Sequence, residues 1–329
     1  MNRRRILLAS TGVGLFAVAV GSVAQTPNRL RRIGLLAAGS PHPKIPAPVE
    51  ALREALYGLG YIEGRTIEIE YRWAEGKVDR LPELAAELVR LRVELIVAAG
   101  DAPTRAAKAA TSTLPIVMAT SGDAVGAGFV ASLARPGGNV TGMTAINPEL
   151  GAKRLQLLRE LQPQALRIAV LGNPGDASHA IDLRASQDAS REIDITLVPI
   201  DMRTVDAVDG AFEQILRSKA GALVVFNDST TVEARPRIVQ LAAQYRIPAM
   251  YEAREWAAAG GLVAYGVTHV DLFRQSAAYV DKILRGAKPV DLPVEQPTRL
   301  RLTINLSAAK ALGIMIPQSV LIRADEVIE

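Results

Sequence analysis

The sequence ELIVAAGDAPTRAAKAATSTLPIVMATSGDAVGAG, residues 94–128, contains the pattern that decides the fold. Two short apolar runs, Leu95–Ala99 and Pro115–Ala119, are typical of strands buried on both faces of a parallel sheet. Small and polar residues follow each run, at Gly100–Asp101 and Thr120–Asp123. In open α/β sheets such turns lie at the carboxyl ends of the strands, where ligands bind. The stretch therefore predicts two parallel strands whose ends border a ligand site.

The same pattern occurs a second time in the chain. RIGLLAAGS, which begins at Arg32, is matched by RIAVLGNPG, which begins at Arg167, and ELIVAAGD is matched by ALVVFND, which begins at Ala222. Helical spacers lie between the strands in the same order in both halves. The fold class that this predicts is α/β, with two doubly wound parallel-sheet lobes joined by a hinge.

The length of 329 residues is sufficient for two domains with a core in each. We predict a signal peptide over residues 1–24, a first lobe over 25–145 plus part of 268–329, and a second lobe over 146–267. The Pro-rich segment and strand over 286–306 have no counterpart in the repeat, and we expect them to cross the hinge.

The N-terminus reads MNRRR followed by ILLASTGVGLFAVAVGSVA, a basic region and then an apolar core. Ser22-Val23-Ala24 offers the small residues that a signal peptidase reads, which predicts cleavage before Gln25 and export to a bacterial periplasm. The alternative is an uncleaved membrane anchor, because the apolar run approaches spanning length. The sequence does not separate the general export route from the twin-arginine route.

Charge and cysteine content exclude several classes. Removing the three arginines at positions 3–5 from 38 basic residues leaves 35 against 34 acidic residues, so no basic excess indicates nucleic-acid binding. The chain has no cysteine, hence no disulfide and no lipid-modified N-terminal thiol. We expect a soluble, monomeric protein whose lobes are stable by packing alone.

The sequence has none of the signatures of an enzyme that we sought. His42, His179 and His269 are far apart and have no partner at metal-ligand spacing, and His179 is predicted to be a solvated residue on a helix surface. Dinucleotide, P-loop and nucleophile-elbow motifs do not occur in the chain. We therefore expect no catalysis, no metal and no cofactor.

The candidate binding residues are polar or aromatic side chains at or near strand ends. They are Ser40, Trp73, Asp101, Thr120, Ser121 and Asp123 in the first lobe, and Asn173, Asn227, Asp228, Tyr251, Glu252 and Tyr265 in the second. The alternative for each hydroxyl or carboxylate is helix capping, which uses the same residue types at the same places. For Trp73 the alternative is a packing role.

Several longer stretches resemble one protein family. They are EYRWAEGKVDRLPELAAELVR (70–90), AKAATSTLPIVM (107–118), SLARPGGNVTGM (132–143), YEAREWAAAGGLVAYG (251–266) and LPVEQPTRLRLTINLSAAKALGIMIPQSVLIRADEVIE (292–329). Together they resemble the substrate-binding proteins of ABC transporters, in the branch that includes tryptophan- and other aromatic amino-acid-binding members. The resemblance implies a type I periplasmic-binding fold with three crossovers between lobes. It also implies hinge closure on a ligand, and partnership with a membrane permease and its ATPase.

The function predicted from these observations is a periplasmic receptor of an ABC importer that captures a small organic solute, such as an amino acid. The anionic end of the ligand is expected at Thr120 and Ser121, and its ammonium at Asp228 or Glu252, with Trp73 or Tyr251 alongside its side chain. The alternative is a solute sensor that docks on a membrane signalling receptor.

Overall fold

A computed structural model describes residues 30–41, 45–145, 147–176, 178–297 and 299–329. The signal peptide, the cleavage site at Ala24/Gln25 and His42 lie outside the described residues. Within the described part of the chain, every helix is too short or too polar to cross a membrane.

The first lobe contains a sheet of five parallel strands. In chain order they are β1 (Arg31–Ala37), β2 (Ile67–Trp73), β3 (Ile96–Ala99), β4 (Ile116–Thr120) and β5 (Val140–Gly142). Their order across the sheet is β2-β1-β3-β4-β5, and every pair is parallel. The helices that follow the first three strands are α1 (Ala47–Gly58), α2 (Leu81–Arg90) and α3 (Asp101–Ala110).

The second lobe contains a sheet of seven strands and most of the remaining helices. Its strands are β6 (Arg167–Gly172), β7 (Thr196–Asp201), β8 (Ala222–Val225), β9 (Ala249–Ala253), β10 (Val263–Val267), β11 (Arg301–Asn305) and β12 (Glu326–Ile328). The helices from residue 147 onward are α4 (Asn147–Leu161), α5 (His179–Glu192), α6 (Val208–Arg217), α7 (Ser229–Glu233), α8 (Arg235–Gln244), α9 (Arg254–Ala258), α10 (His269–Leu284), α11 (Leu306–Leu312) and α12 (Gln318–Leu321).

The two sheets have the same strand order. The second sheet runs β7-β6-β8-β9-β10, which is the order of the first, and then adds β11 antiparallel to β10 and β12 parallel to β11. Such a doubly wound order places the ligand crevice at the carboxyl ends of the strands. The prediction of two parallel-sheet α/β lobes is confirmed.

The chain passes between the lobes at three places. It crosses between β5 and α4, again between β10 and α10, and a third time between Glu295, which bridges to Met143, and β11. Helix α10 packs into the core of the first lobe, where Leu272 and Val280 lie among residues of β1 and α1. The C-terminal tail packs on the second lobe, where Ile316 and Val320 are buried.

A buried ion pair attaches α4, the first element after a crossing, to the centre of the second sheet. The Arg154 guanidinium donates to Glu252 Oε1 at 2.5 Å and to the carbonyl of Tyr265 at 2.8 Å. Both charged side chains are 3% exposed or less. Burial raises the pKa of Glu252, and the Arg154 guanidinium opposes that rise. Neither charge is tolerable there without the other.

This pair gives a prediction for stability. Arg154→Met keeps the volume but leaves Glu252 buried and unpaired, so we expect a loss of about 3–5 kcal/mol in the free energy of unfolding. The double variant R154M/E252Q should recover much of that loss, because no charge is then left alone. Urea denaturation followed by circular dichroism measures both.

The matched control is Arg323→Met, which removes an exposed arginine paired with Glu160 and should cost less than about 1 kcal/mol. Equal losses for Arg154→Met and Arg323→Met would contradict a structural role for the buried pair.

Candidate functional site

A cavity of about 430 Å³ lies between the two lobes, at the carboxyl ends of the strands of both sheets. The turns that follow β1, β3 and β4 form its first-lobe wall. The turn that follows β8 and the first residues of α5 and α8 form most of the opposite wall. Its size falls within the range typical of small-molecule sites, ~300–1,000 Å³.

The apolar part of the cavity wall is aromatic. Trp73 ends β2 and stacks on Tyr71, with ring centroids 6.3 Å apart. Phe226 and Phe273 are almost fully buried and come from the second lobe and from α10. Such rings provide flat apolar surface for a hydrophobic or planar group of a ligand.

Seven of the sequence-predicted residues line this cavity, and the structure brings them together from both lobes. They are Ser40, Trp73, Asp101, Thr120, Ser121, Asn227 and Asp228. Several of these side chains, among them Asp101, Asn227 and Asp228, already have hydrogen-bond partners within the protein. Asp228 caps α7 by accepting from the backbone N–H groups of Thr230 and Thr231.

The other five predicted residues lie away from the cavity wall. Tyr251 is buried in the second core and stacks on Trp256 with ring centroids 4.9 Å apart, and Glu252 is held by Arg154. Asp123 accepts from the backbone of its own turn, at Val125 and Gly126.

Asn173 and Tyr265 have roles within the second lobe. The Asn173 amide donates to Thr230 Oγ1 at 2.7 Å, and the Tyr265 carbonyl accepts from Arg154. Both residues therefore support the walls of the second lobe and do not face the cavity.

The prediction for His179 was wrong. Its side chain is 8% exposed, lines the cavity and packs edge-on against Phe226, with ring centroids 5.7 Å apart. Burial lowers its pKa, so the ring is neutral at pH 7. His179 Nδ1 is buried next to Gly172 and has no hydrogen-bond partner among the described residues.

The sequence analysis also did not identify three charged side chains that line the cavity, those of Asp182, Arg235 and Glu255. Asp182 Oδ1 and Glu255 Oε2 are buried and have no hydrogen-bond partner in the described part of the chain. The Arg235 guanidinium lies over the Trp256 ring, 5.7 Å from its centroid. Burial lowers the pKa of Arg235, and the nearby carboxylates of Glu255 and Glu233 oppose that fall. Asp182 and Glu255 thus hold unused acceptor capacity, and Arg235 supplies a cation at the same cavity.

A signal for Asp182 exists in the sequence. His179, Asp182, Ser186 and Ser190 follow helical spacing and form the buried face of α5. A buried helix face made of polar side chains is unusual, and it indicates either a polar network or a ligand site.

A hydrogen-bonded chain fixes the side of the cavity next to the crossing between β10 and α10. The Trp256 indole N–H donates to Asn227 Oδ1 at 2.8 Å, so the Asn227 amide nitrogen faces His269 Nε2 at 3.1 Å. His269 Nε2 must then accept, which agrees with the lowering of its pKa by burial. The neutral imidazole at this crossing is therefore part of the rigid frame of the site.

No group of three or more His, Cys, Asp and Glu side chains suited to a metal ion occurs among the described residues. The arrangement can bind a small organic molecule by apolar contact and by charge.

Comparison with known proteins also indicates a protein that binds small molecules. The family model described as ABC transporter substrate binding protein matches residues 37–328. A tyrosine-binding protein of Clostridioides difficile (strain R20291) is 27% identical over 274 residues, which cover 82% of this chain and 78% of that protein.

Two solved structures share the arrangement of both lobes. An ABC domain from Streptococcus pneumoniae in complex with L-Trp matches with a TM-score of 0.84 at 26% identity, over 91% of this chain and 100% of that chain. A conserved domain protein from Vibrio cholerae O1 biovar El Tor matches with a TM-score of 0.85 at 28% identity, again over 91% and 100%. The predicted type I periplasmic-binding-protein fold is thereby confirmed, and the chain belongs to the family of ABC transporter substrate-binding proteins.

Proposed function

We propose that this protein is the solute-binding component of an ABC importer, which captures an amino acid between its lobes and delivers it to a membrane permease. The observation that carries the proposal is the cavity between the lobes, which combines aromatic walls with the Arg235 guanidinium and with buried carboxylates that have unpartnered oxygens. A zwitterion with an apolar side chain is the ligand class that fits all three features.

The carboxylate of the ligand is assigned to Arg235. Its guanidinium remains charged at neutral pH although burial lowers its pKa, and the fork of N–H donors matches a carboxylate in two-point geometry. The start of α1 lines the same cavity, and its backbone N–H groups favour the same end of the ligand.

The apolar side chain of the ligand is assigned to the space between Trp73 and the phenyl rings of Phe226 and Phe273. Two of the similar proteins are named for tyrosine and for a complex with L-Trp, and both names support an aromatic amino acid here. The earlier assignment of Tyr251 and Glu252 to the ligand is replaced, because the buried core and Arg154 occupy those side chains.

Transport also requires the protein to be outside the cytoplasmic membrane. The basic and apolar N-terminus over residues 1–24 supports export to the periplasm with cleavage before Gln25. We expect the protein in the periplasmic fraction of cells, with an intact mass that corresponds to a chain beginning at Gln25. A protein that stays in the cytoplasm with residues 1–24 attached would contradict this.

The ligand class is tested by isothermal titration calorimetry of the natively purified protein against amino acids and sugars. We expect saturable one-to-one binding of at least one aromatic or aliphatic L-amino acid, because the apolar walls exclude strongly polar side chains. Binding of sugars alone would show that the substrate class is wrong. Uptake of the labelled ligand should also fall in cells that lack the protein.

The role of Arg235 is tested by Arg235→Gln. Loss of a charge-assisted pair should weaken amino-acid binding roughly tenfold to a hundredfold. Arg237→Gln is the matched control, since Arg237 lies on the same helix and pairs at the surface with Asp209 and Gln240. If both variants bind as the unmodified protein does, the ligand carboxylate lies elsewhere.

A further inference from the structure

The two lobes meet through a hydrogen bond between buried polar side chains. Asp101 begins α3 in the first lobe, and Ser178 lies directly before α5 in the second. The Ser178 hydroxyl is 2.9 Å from Asp101 Oδ2, and both residues are less than 9% exposed. The lobes approach so closely here that a Cβ atom on Gly122 would lie 2.7 Å from Ser178 Oγ.

At this contact two carboxylates, of Asp101 and Asp176, share the single hydroxyl donor of Ser178. Ser178 Oγ is also 3.0 Å from Asp176 Oδ1, and one hydroxyl has only one proton to donate. When both carboxylates are ionised, one of them loses this hydrogen bond, and the two charges repel each other.

A third carboxylate faces the same place. Asp182 is one turn into α5, is 7% exposed, and has no partner for Oδ1 in the part of the chain that the structure describes. The charges of Asp101, Asp176 and Glu252 all act against its ionisation. The Arg154 charge favours ionisation of Asp182, but Arg154 already pairs with Glu252.

The other groups around this cluster do not neutralise it. His179 is neutral on α5, and from the first lobe the backbone N–H of Gly122 contributes only a hydrogen bond to Asp101. A buried carboxylate without a counter-charge is expensive, so the closed arrangement lacks one positive group.

We propose that Asp101 and Asp182, from opposite lobes, together bind the ammonium group of the ligand, and that this cation is what permits the lobes to close. The inference rests on the proposed function and adds a condition to it. A ligand of the right shape that lacks the positive charge should neither bind tightly nor close the lobes.

The same electrostatics makes closure without ligand depend on pH. Burial and the neighbouring Asp176 raise the pKa of Asp101 to about 6, and burial also raises the pKa of Asp182. The closed form therefore holds more protons than an open form with ordinary carboxyl pKa values. Closure of the empty protein is favoured as pH falls through about 6 and is opposed above it.

The test uses pairs of probes that differ only in the ammonium group. They are L-tryptophan with indole-3-propionate, and L-tyrosine with 3-(4-hydroxyphenyl)propionate. Affinity is measured by calorimetry, and lobe closure by pulsed electron paramagnetic resonance between spin labels at Glu54→Cys and Glu213→Cys. These positions are exposed on α1 and α6, and the chain contains no other cysteine to label.

The expected result is that the amino acid shortens the distance between labels, whereas its desamino partner binds more weakly by about tenfold or more and does not. Asp182→Asn should remove most of this discrimination. Asp101→Asn should increase closure of the empty protein at neutral pH, since the amide still accepts from Ser178 and carries no charge. Asp188→Asn, on the same helix at a surface pair with Arg191, is the control and should behave as the unmodified protein.

Each outcome has a definite meaning. If no member of either pair binds and the wider panel also fails, the proposed function itself falls. If an amino acid binds but its desamino partner binds equally well and closes the lobes, the function stands and the ammonium site is overturned. The ammonium site is also overturned if Asp182→Asn still prefers the amino acid to its desamino partner by the same factor. It is overturned as well if the distance between the labels in the empty protein is the same at about pH 7.5 and at about pH 5.

Discussion

Buried carboxylates at the contact between the lobes are the constraint on which the rest of the structure depends. A carboxylate removed from water needs a counter-charge or a proton, because its desolvation costs several kcal/mol. Among the described residues, the buried Glu252 has such a counter-charge in Arg154, which attaches α4 to the second sheet. Asp182 lines the cavity, and its Oδ1 has no hydrogen-bond partner in the part of the chain that the structure describes. We propose that the first pair is structural and that the second carboxylate binds the ligand.

The fold was predictable because its signals are local and repeated. Short apolar runs such as Leu95–Ala99, each followed by small and polar residues, specify parallel strands and the edge of the sheet that carries the site. The match between the segments that begin at Arg32 and at Arg167 then indicated two copies of the same unit, and the two sheets have the same strand order. The strand β12 was not predicted, since a three-residue edge strand carries no periodicity, and only its pairing with β11 defines it.

The site was predictable only in part, because strand ends locate the cavity but do not show which side chains are already paired. Glu252 follows the apolar residues of β9 as a binding residue would, yet its partner Arg154 lies 98 positions earlier in the chain. Tyr251 has the same position and is covered by Trp256. Asp182 lies inside helix α5, so it is not found by a search for polar residues that follow strands. Tertiary contacts determine which polar groups already have hydrogen-bond partners, and therefore which of them can bind a ligand.

Two similar lobes form one cavity with their strand ends, and we propose that the charged groups lining it bind a zwitterion. Membership of the substrate-binding family explains the two-lobed architecture, and we propose that Arg235 and Asp182, which both line the cavity, determine what this member binds. A crystal structure of the protein with its tightest ligand tests the claim most directly. The account predicts a ligand nitrogen within hydrogen-bonding distance of both Asp182 and Asp101, with the ligand carboxylate at Arg235. A ligand without a positive charge, or one bound outside the cavity between the lobes, would contradict it.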